Sequence, residues 1–430
     1  MKFHIISLGC NKNTADSEKI AQIFASRNCE WVKDPQKADL LLINTCGFID
    51  DAKEESLSTI MKALSFKKKN RKIKIAAFGC LVKRYYEDIK QQIPELDYLF
   101  DFLTPRQIEN MISEIGESGK SCFTPQRYFT PSHIGFLKIA EGCDNRCSYC
   151  AIPNIRGPFV SLDEKEIIQT AKDLAKTGTK ELSVVAQDIT RYGIDKTGKC
   201  QLPSLVKKLS CINGIEWIRL HYMHPRGLTN ELIDELYSIP KVVPYFDIPF
   251  QHIAAKLVKT MNRHTTPEHM ISIIKHIREK YPEACFRTTF IVGFPGETKK
   301  EFDELINFIE ETPIDRIGAF MYSPEEGTPG AKMPHQCRPS TKQKRLDQLM
   351  TLQQLIIEER NKELIGKKLP VIVDSVNKNE AKARTMYDAW EVDNLTTIKN
   401  AKNLVPGQIV DVIITKANAY DFQAKLVNDK

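Results

Sequence analysis

No apolar run in these 430 residues approaches the roughly 20 residues that a helix needs to cross a bilayer, so no transmembrane span is expected. The amino terminus, MKFHIISLGCNKN, lacks the layout of a secretory signal and reads as a first strand that runs into a cysteine motif. The expectation is a cytoplasmic protein with no membrane partner, in a compartment where thiols stay reduced. Charge of one sign is in no large excess. Lys and Arg total 62 against 55 Asp and Glu, a net +7. That is a mild bias towards nucleic acid or a ribonucleoprotein and defines no partner. The densest basic run, KKKNRK from Lys67 to Lys72, reads as a solvated helix end. A zinc signature is missing too. There is no second C-x2-C unit, and after Cys150 the next Cys or His is Cys200.

What is present is cysteine, 12 in all. A disulfide framework is not expected in a long cytosolic chain, so the thiols point to metal or catalysis. The stretch EGCDNRCSYC holds Cys143, Cys147 and Cys150 at C-x3-C-x2-C spacing. A zinc ion completed by a distant His, or three buried apolar cysteines, are the plainer readings. Thiolates are also the natural ligands of iron–sulfur clusters. Three cysteines on a four-iron cluster leave one iron without a protein ligand, a position open to something that reacts.

The order of elements supports an α/β chain in three parts. In the first, to about residue 125, the strands KFHIISL, DLLLINT and KIKIAAF alternate with the helices ADSEKIAQIFASR and EESLSTIMKAL. A further helix, PRQIENMISEI, has Thr104 as N-cap and Pro105 in its first turn. Such alternation predicts a doubly wound parallel sheet. The strands end at Cys10, Cys46 and Cys80, on the edge where open parallel sheets bind ligands, so a second set of three can converge. A Gly-, Ser-, Thr- and Pro-bearing linker is expected over 118 to 135. Six strand–helix repeats follow, with strands at GFLKIAE, ELSVVAQ, WIRLHYM, YFDIPF, FRTTFIVG and RIGAFMY. Eight repeats would close a barrel; six leave a lateral opening suited to a large substrate. A charged helix over about Thr341 to Glu363 leads to a small all-β barrel, with strands at LPVIVDSV, KARTMYDAWEV and QIVDVIITKANAYDFQAKLV. There, Tyr387 and Trp390 with Arg384 and Lys382 read as a candidate RNA-stacking face.

The frame C-x3-C-x-aromatic-C, with Tyr149 as the aromatic, resembles the radical S-adenosylmethionine (SAM) superfamily. The frames SLGCNKNTADSE, INTCGFI and AFGC resemble the methylthiotransferases. Within these, LKIAEGCDNRCSYCAIPNIRG, VVAQDITRYGID, DIPFQHI, RTTFIVGFPGET and YSPEEGTP are similar to the RimO type, which modifies an aspartate of ribosomal protein uS12. Departures are Asn11 for the usual Pro and Phe250 for Leu.

The resemblance implies a methylthiotransferase domain over 1–125, an incomplete (βα)6 radical SAM domain over 130–362 and a TRAM domain over 363–430. It implies two 4Fe-4S clusters, on Cys10, Cys46 and Cys80 and on Cys143, Cys147 and Cys150. One SAM would methylate the delivered sulfur and a second would supply the radical that removes hydrogen from the aspartate β-carbon. Implied partners are uS12, free or in the small subunit, a sulfur donor, and an external low-potential reductant of flavodoxin or ferredoxin type. No catalytic residue beyond the cluster ligands is implied, since an unactivated C–H bond offers no acidic proton. Around SAM, the candidates are Tyr149, Gln187, Arg287, Gly293 and Gly296. A strand-to-helix turn is the plainer reading of the two glycines, and a structural ion pair that of Arg287. His221, His224 and His252 read as packing or substrate-shell residues, and Cys29, Cys122, Cys200, Cys211, Cys285 and Cys337 as fillers or surface thiols. The rivals are the same chemistry on a tRNA adenosine, or a non-catalytic iron–sulfur or RNA-binding protein.

Overall fold

A computed structural model describes residues 1–116 and 126–427. The expected linker lies in part, at 118–125, outside the described residues, as does Cys122. The chain divides into two compact units, Met1–Pro131 with Ala151–Pro158, and Ser132–Cys150 with Phe159–Lys430.

The first unit is a parallel sheet of five strands: β1 (Lys2–Ser7), β2 (Glu30–Trp31), β3 (Leu40–Thr45), β4 (Lys74–Gly79) and β5 (Tyr98–Phe100). Their order is β2-β1-β3-β4-β5. Strand β3 has no exposed residue, because side chains alternate across a sheet that is covered on both faces. Leu40 and Leu42 pack with Phe3, Phe24, Ile108 and Met111. Leu41 and Ile43 pack on the other side with Ile60, Ala63, Ile75 and Val82. This is the doubly wound arrangement expected from the alternation. The helix Pro105–Ile115 starts with the predicted Thr104 cap, in a reciprocal capping box with Gln107.

In the second unit, the strands β6 (Ile134–Lys138), β9 (Glu181–Val185), β10 (Trp217–Leu220), β11 (Tyr245–Asp247), β12 (Cys285–Val292) and β13 (Arg316–Met321) are the six predicted ones. A short antiparallel pair, β7 (Ala140–Glu141) with β8 (Val160–Ser161), was not foreseen. The six form two parallel sheets, ordered β10-β9-β6 and β11-β12-β13. A parallel bridge from Ile218 to Val242 links β10 to the residues before β11. Among the described residues β6 and β13 pair with no further strand, so the barrel is incomplete as expected. Its core joins Leu137, Val184, Ile218, Phe246, Phe290 and Ile317 to the helices around them.

After the helix Pro339–Lys362, five strands close a small barrel: β14 (Lys368–Asn377), β15 (Glu380–Thr385), β16 (Leu395–Lys399), β17 (Ile409–Ala417) and β18 (Asp421–Leu426). The stretch KARTMYDAWEV is strand only as far as Thr385. Thr385 then accepts the Asp388 N–H at 3.1 Å, and the chain turns away. Ala389 in this turn packs with Trp217, Val243, Tyr245 and Cys285, at the amino ends of the larger barrel's strands. Arg384 is not available to the candidate RNA-stacking face, which leaves Lys382 exposed and Tyr387 and Trp390 half-buried. Arg384 has no exposure and lies 2.8 Å from Glu181 Oε2 and 2.8 Å from Asp374 Oδ2. Arg219 takes the other oxygen of Glu181 at 2.7 Å. Charges so deeply buried persist only when paired, and here the pairs join the small barrel to the large one. Among the described residues no helix is long and apolar enough to cross a membrane.

Candidate functional site

The strand order sets the carboxyl ends of β1, β3 and β4 side by side, and each end carries one cysteine. Cys10 precedes the helix Asn11–Ser26, Cys46 follows β3, and Cys80 opens the helix Cys80–Arg84. The β1/β3 boundary is the switch point of a 2-1-3-4-5 sheet, where such folds bind ligands. The three loops pack without room for side chains. Gly9 has φ +87°, and a Cβ there would stand 2.7 Å from Cys46 Sγ; one on Gly47 would stand 2.7 Å from Leu81 Cα. The Asn13 amide donates to Leu8 O at 2.8 Å and Thr45 O at 3.3 Å. Ser56 Oγ accepts the Cys46 N–H at 3.0 Å and donates to its carbonyl at 2.8 Å.

The second set sits on the loop after β7. Ser148 N–H donates to Met261 O at 2.9 Å, Ser148 Oγ to Thr260 O at 2.7 Å, and Gly330 N–H to Ser148 O at 2.7 Å. Asn145 reaches Asp188 at 2.8 Å, and Asn262 reaches Arg146 O at 2.9 Å. Tyr149 packs against Leu257, Met261, Phe294 and Tyr322. Arg263 Nη1 donates to the Tyr149 hydroxyl at 2.9 Å and to Cys147 Sγ at 3.4 Å.

The cysteines do not share one electrostatic state. Burial acts to raise the Cys10 thiol, but the Lys12 charge and the Asn13 N–H outweigh it and lower the thiol, whereas Cys46 and Cys143 are held protonated. Burial pushes the Cys46 thiol up to about 11 despite the Phe48 N–H, and Cys10 and Cys80 add to the rise. Burial likewise takes Cys143 to about 11, with Asn145 N–H opposing and Asp188 and Cys147 reinforcing. A metal reverses this balance, since a coordinated thiol gives up its proton. The donor sets therefore fit an iron–sulfur cluster. Among the described residues no three His, Cys, Asp or Glu side chains are grouped around one ion. Cysteines on a cluster each bind a different iron and stand further apart than ligands of a single metal.

Gln187 follows the carboxyl end of β9, and Gly293 and Gly296 that of β12, whereas Arg287 is near the amino end of β12. Gln187 Nε2 donates to Glu141 at 3.2 Å, and its Oε1 is buried with no hydrogen-bond partner among the described residues. Such an orphan acceptor suits an N–H or O–H donor from a cofactor. Gly293 and Gly296 have φ +74° and +81°. Gly293 N–H donates to Glu297 Oε2 at 2.7 Å, and a Cβ on Gly296 would meet nothing within 4 Å. Burial raises the Glu297 carboxyl to about 7, against the pull of Arg345. Arg287 bonds Asp247 at 3.0 Å and stands 3.7 Å from Asp393, the contacts of its ion-pair reading. His221 pairs with Asp247 at 3.3 Å, while His224 and His252 are buried and accept backbone N–H groups of Arg226 and Ala254. The sequence reading missed Asn13, Ser56, Asp188 and Arg263, and also Arg156, whose Nε lies 3.3 Å from Cys80 Sγ. Asn13, Arg156 and Asp188 stand inside the quoted GCNKN, NIRG and VVAQDITRYGID frames; Ser56 and Arg263 carry no local signal.

Three family models match the chain in order: the uncharacterized protein family UPF0004 over residues 2–101, the radical SAM superfamily over 137–309 and the TRAM domain over 365–427. Among solved structures, the radical SAM methyltransferase TsrM from Kitasatospora setae, with cobalamin and a 4Fe-4S cluster bound, aligns at a TM-score of 0.53 and 10% identity, over 73% of this chain and 70% of that one. The cobalamin-dependent SAM radical enzyme OxsB aligns at 0.51 and 12% identity, over 82% of this chain and 56% of that one. At such identities the likeness is one of fold. The sequence relatives reach much further. The uS12 methylthiotransferase RimO of Carboxydothermus hydrogenoformans is 42% identical over 100% of both chains. That of Clostridioides difficile is 39% identical over 99% of both. The chain belongs to the ribosomal protein uS12 methylthiotransferase RimO family.

Proposed function

We propose that this protein replaces a hydrogen on the β-carbon of an aspartate of ribosomal protein uS12 with a methylthio group, in the cytoplasm. One SAM serves as methyl donor and another as radical source. The observation that carries the reading is the presence, in one chain, of two three-cysteine sets on strand-end loops. Cys143, Cys147 and Cys150 would hold a 4Fe-4S cluster with one iron open to SAM, and Cys10, Cys46 and Cys80 a second cluster, for the sulfur. When bound, the first cluster together with SAM supplies a 5′-deoxyadenosyl radical, which can take hydrogen from an unactivated carbon.

The chain's own residues bind, orient and exclude water. Tyr149, held by Arg263 in an apolar cluster, keeps water from the cysteine loop. Gln187 Oε1 is suited to accept a hydrogen bond from the cofactor. The left-handed turn at Gly296, open where a Cβ would stand, allows close backbone approach by the adenosine, while Gly293, packed under Lys342, shapes the turn that Glu297 braces. Arg287, paired with Asp247 and Asp393 near the amino end of β12, fits its ion-pair reading. Electrons would come from a flavodoxin- or ferredoxin-type reductant and sulfur from a separate donor. The domain limits we assign are 1–125, 130–362 and 363–430.

The test is an anoxic assay with iron- and sulfide-reconstituted protein, reductant and SAM, with uS12 and tRNA supplied in parallel. Cys147→Ala should abolish 5′-deoxyadenosine formation. Cys46→Ala should retain it and lose methylthiolated uS12. Product formation by Cys46→Ala would contradict the two-cluster assignment, and a methylthio group on tRNA adenosine alone would move the substrate.

A further inference from the structure

The NIRG frame that follows the second cysteine set has no part in the function described so far. Its helix, Ile152–Arg156, falls in the first unit, where Ala151 and Ile155 pack against Cys80. The Arg156 side chain is 4% exposed. Its guanidinium donates from Nε to Cys80 Sγ at 3.3 Å, from Nη1 to Asp16 at 3.1 Å and from Nη2 to Asn13 Oδ1 at 2.7 Å. Phe102 covers it, with the ring centroid 4.5 Å from Cζ. Asn13 is the side chain whose amide ties the Cys10 loop to Thr45 O, next to Cys46. One planar cation thus holds the Cys10 and Cys80 loops directly and reaches the Cys46 loop through Asn13, with an N–H on one sulfur.

We propose that Arg156 is a positioning residue that sets the reduction potential of the cluster held by Cys10, Cys46 and Cys80. This rests on the reading that those three cysteines hold one. Hydrogen bonds to cluster sulfurs and nearby net charge are among the protein's levers on potential. Reduction adds negative charge, so an N–H on a ligating sulfur and a fixed cation beside it favour the reduced state and raise the potential. A lysine supplies a point charge but not three donors in a fixed fork. If Arg156 merely pinned its own segment, its loss would change melting and leave the potential alone.

The experiment uses the full chain carrying Cys143→Ala, Cys147→Ala and Cys150→Ala, so that a single cluster titrates. The protein is reconstituted with iron and sulfide without oxygen, assayed for iron, and titrated potentiometrically with electron paramagnetic resonance detection. In this background Arg156→Gln should keep its iron and shift the reduction equilibrium about tenfold towards the oxidised form, ~59 mV lower for a one-electron couple. Arg156→Lys should shift it less. A glutamine variant that keeps iron at the parent potential overturns the proposal. If that variant holds no iron, the lysine variant decides: a lowered potential supports the proposal, and an unchanged potential or loss of iron from both variants overturns it. A parent without iron would instead sink the reading that these three cysteines hold a cluster.

Discussion

Glu181 has no exposure and carries two guanidiniums, Arg219 and Arg384, at 2.7 and 2.8 Å. Burial pushes its carboxyl up, but the two cations outweigh it and hold the group down at about 2, below its ordinary 4.5. A folded pKa below the unfolded one contributes stability above pH 4.5 that is lost as pH falls towards 2. Glu181→Gln should remove this component of the acid limb. It should also lower stability at neutral pH by about 3–5 kcal/mol, because two buried cations lose their shared anion. Urea titrations of the two proteins at neutral and acid pH measure both effects; equal stability at neutral pH would contradict the network. The same residues mark a limit of reading by position. Arg384, next to Tyr387 and Trp390, has the local character of a basic aromatic face. Its partner Glu181 is about 200 residues away in the chain, and nothing local reports such a pairing. The cysteine sets were legible because spacing and strand ends are local features. Arg263 was not, since it meets Cys147 only through the fold.

At the scale of elements, legibility followed burial pattern. LLLINT is buried along its length and reads plainly as a central strand. The two-residue strands β2, β7 and β8 have no periodicity to detect, and β16, LTTIK, is too short and polar to stand out. Two substitutions test elements of the first unit. Gly47→Ala would drive a methyl against backbone, with its Cβ 2.7 Å from Leu81 Cα and 2.8 Å from Leu81 N. It should destabilise by about 1–3 kcal/mol and lower iron bound by the Cys10, Cys46 and Cys80 set, read in a chain lacking the other three cysteines. Full iron loading with unchanged melting would refute the close packing of these loops. Thr104→Ala removes the hydroxyl of the capping box at Pro105–Ile115. It should cost about 1 kcal/mol in thermal or urea unfolding; equal stability of the two proteins would contradict the cap.

Over the whole molecule, the order of parts was readable: a doubly wound sheet, six strand–helix repeats and a small closed barrel. What was hidden is that Ala151–Pro158, directly after Cys150, belongs to the first unit and not to the barrel that surrounds it in sequence. A five-residue helix with a proline near its start gives no sign of which core it joins. The central claim concerns chemistry on another macromolecule, so the most direct test is the intact mass of ribosomal protein uS12 from cells with and without this gene, with a digest to locate any change. The account predicts uS12 heavier by a methylthio group in place of one hydrogen on an aspartate, and unmodified when the gene is deleted. Identical uS12 masses in the two strains would contradict it.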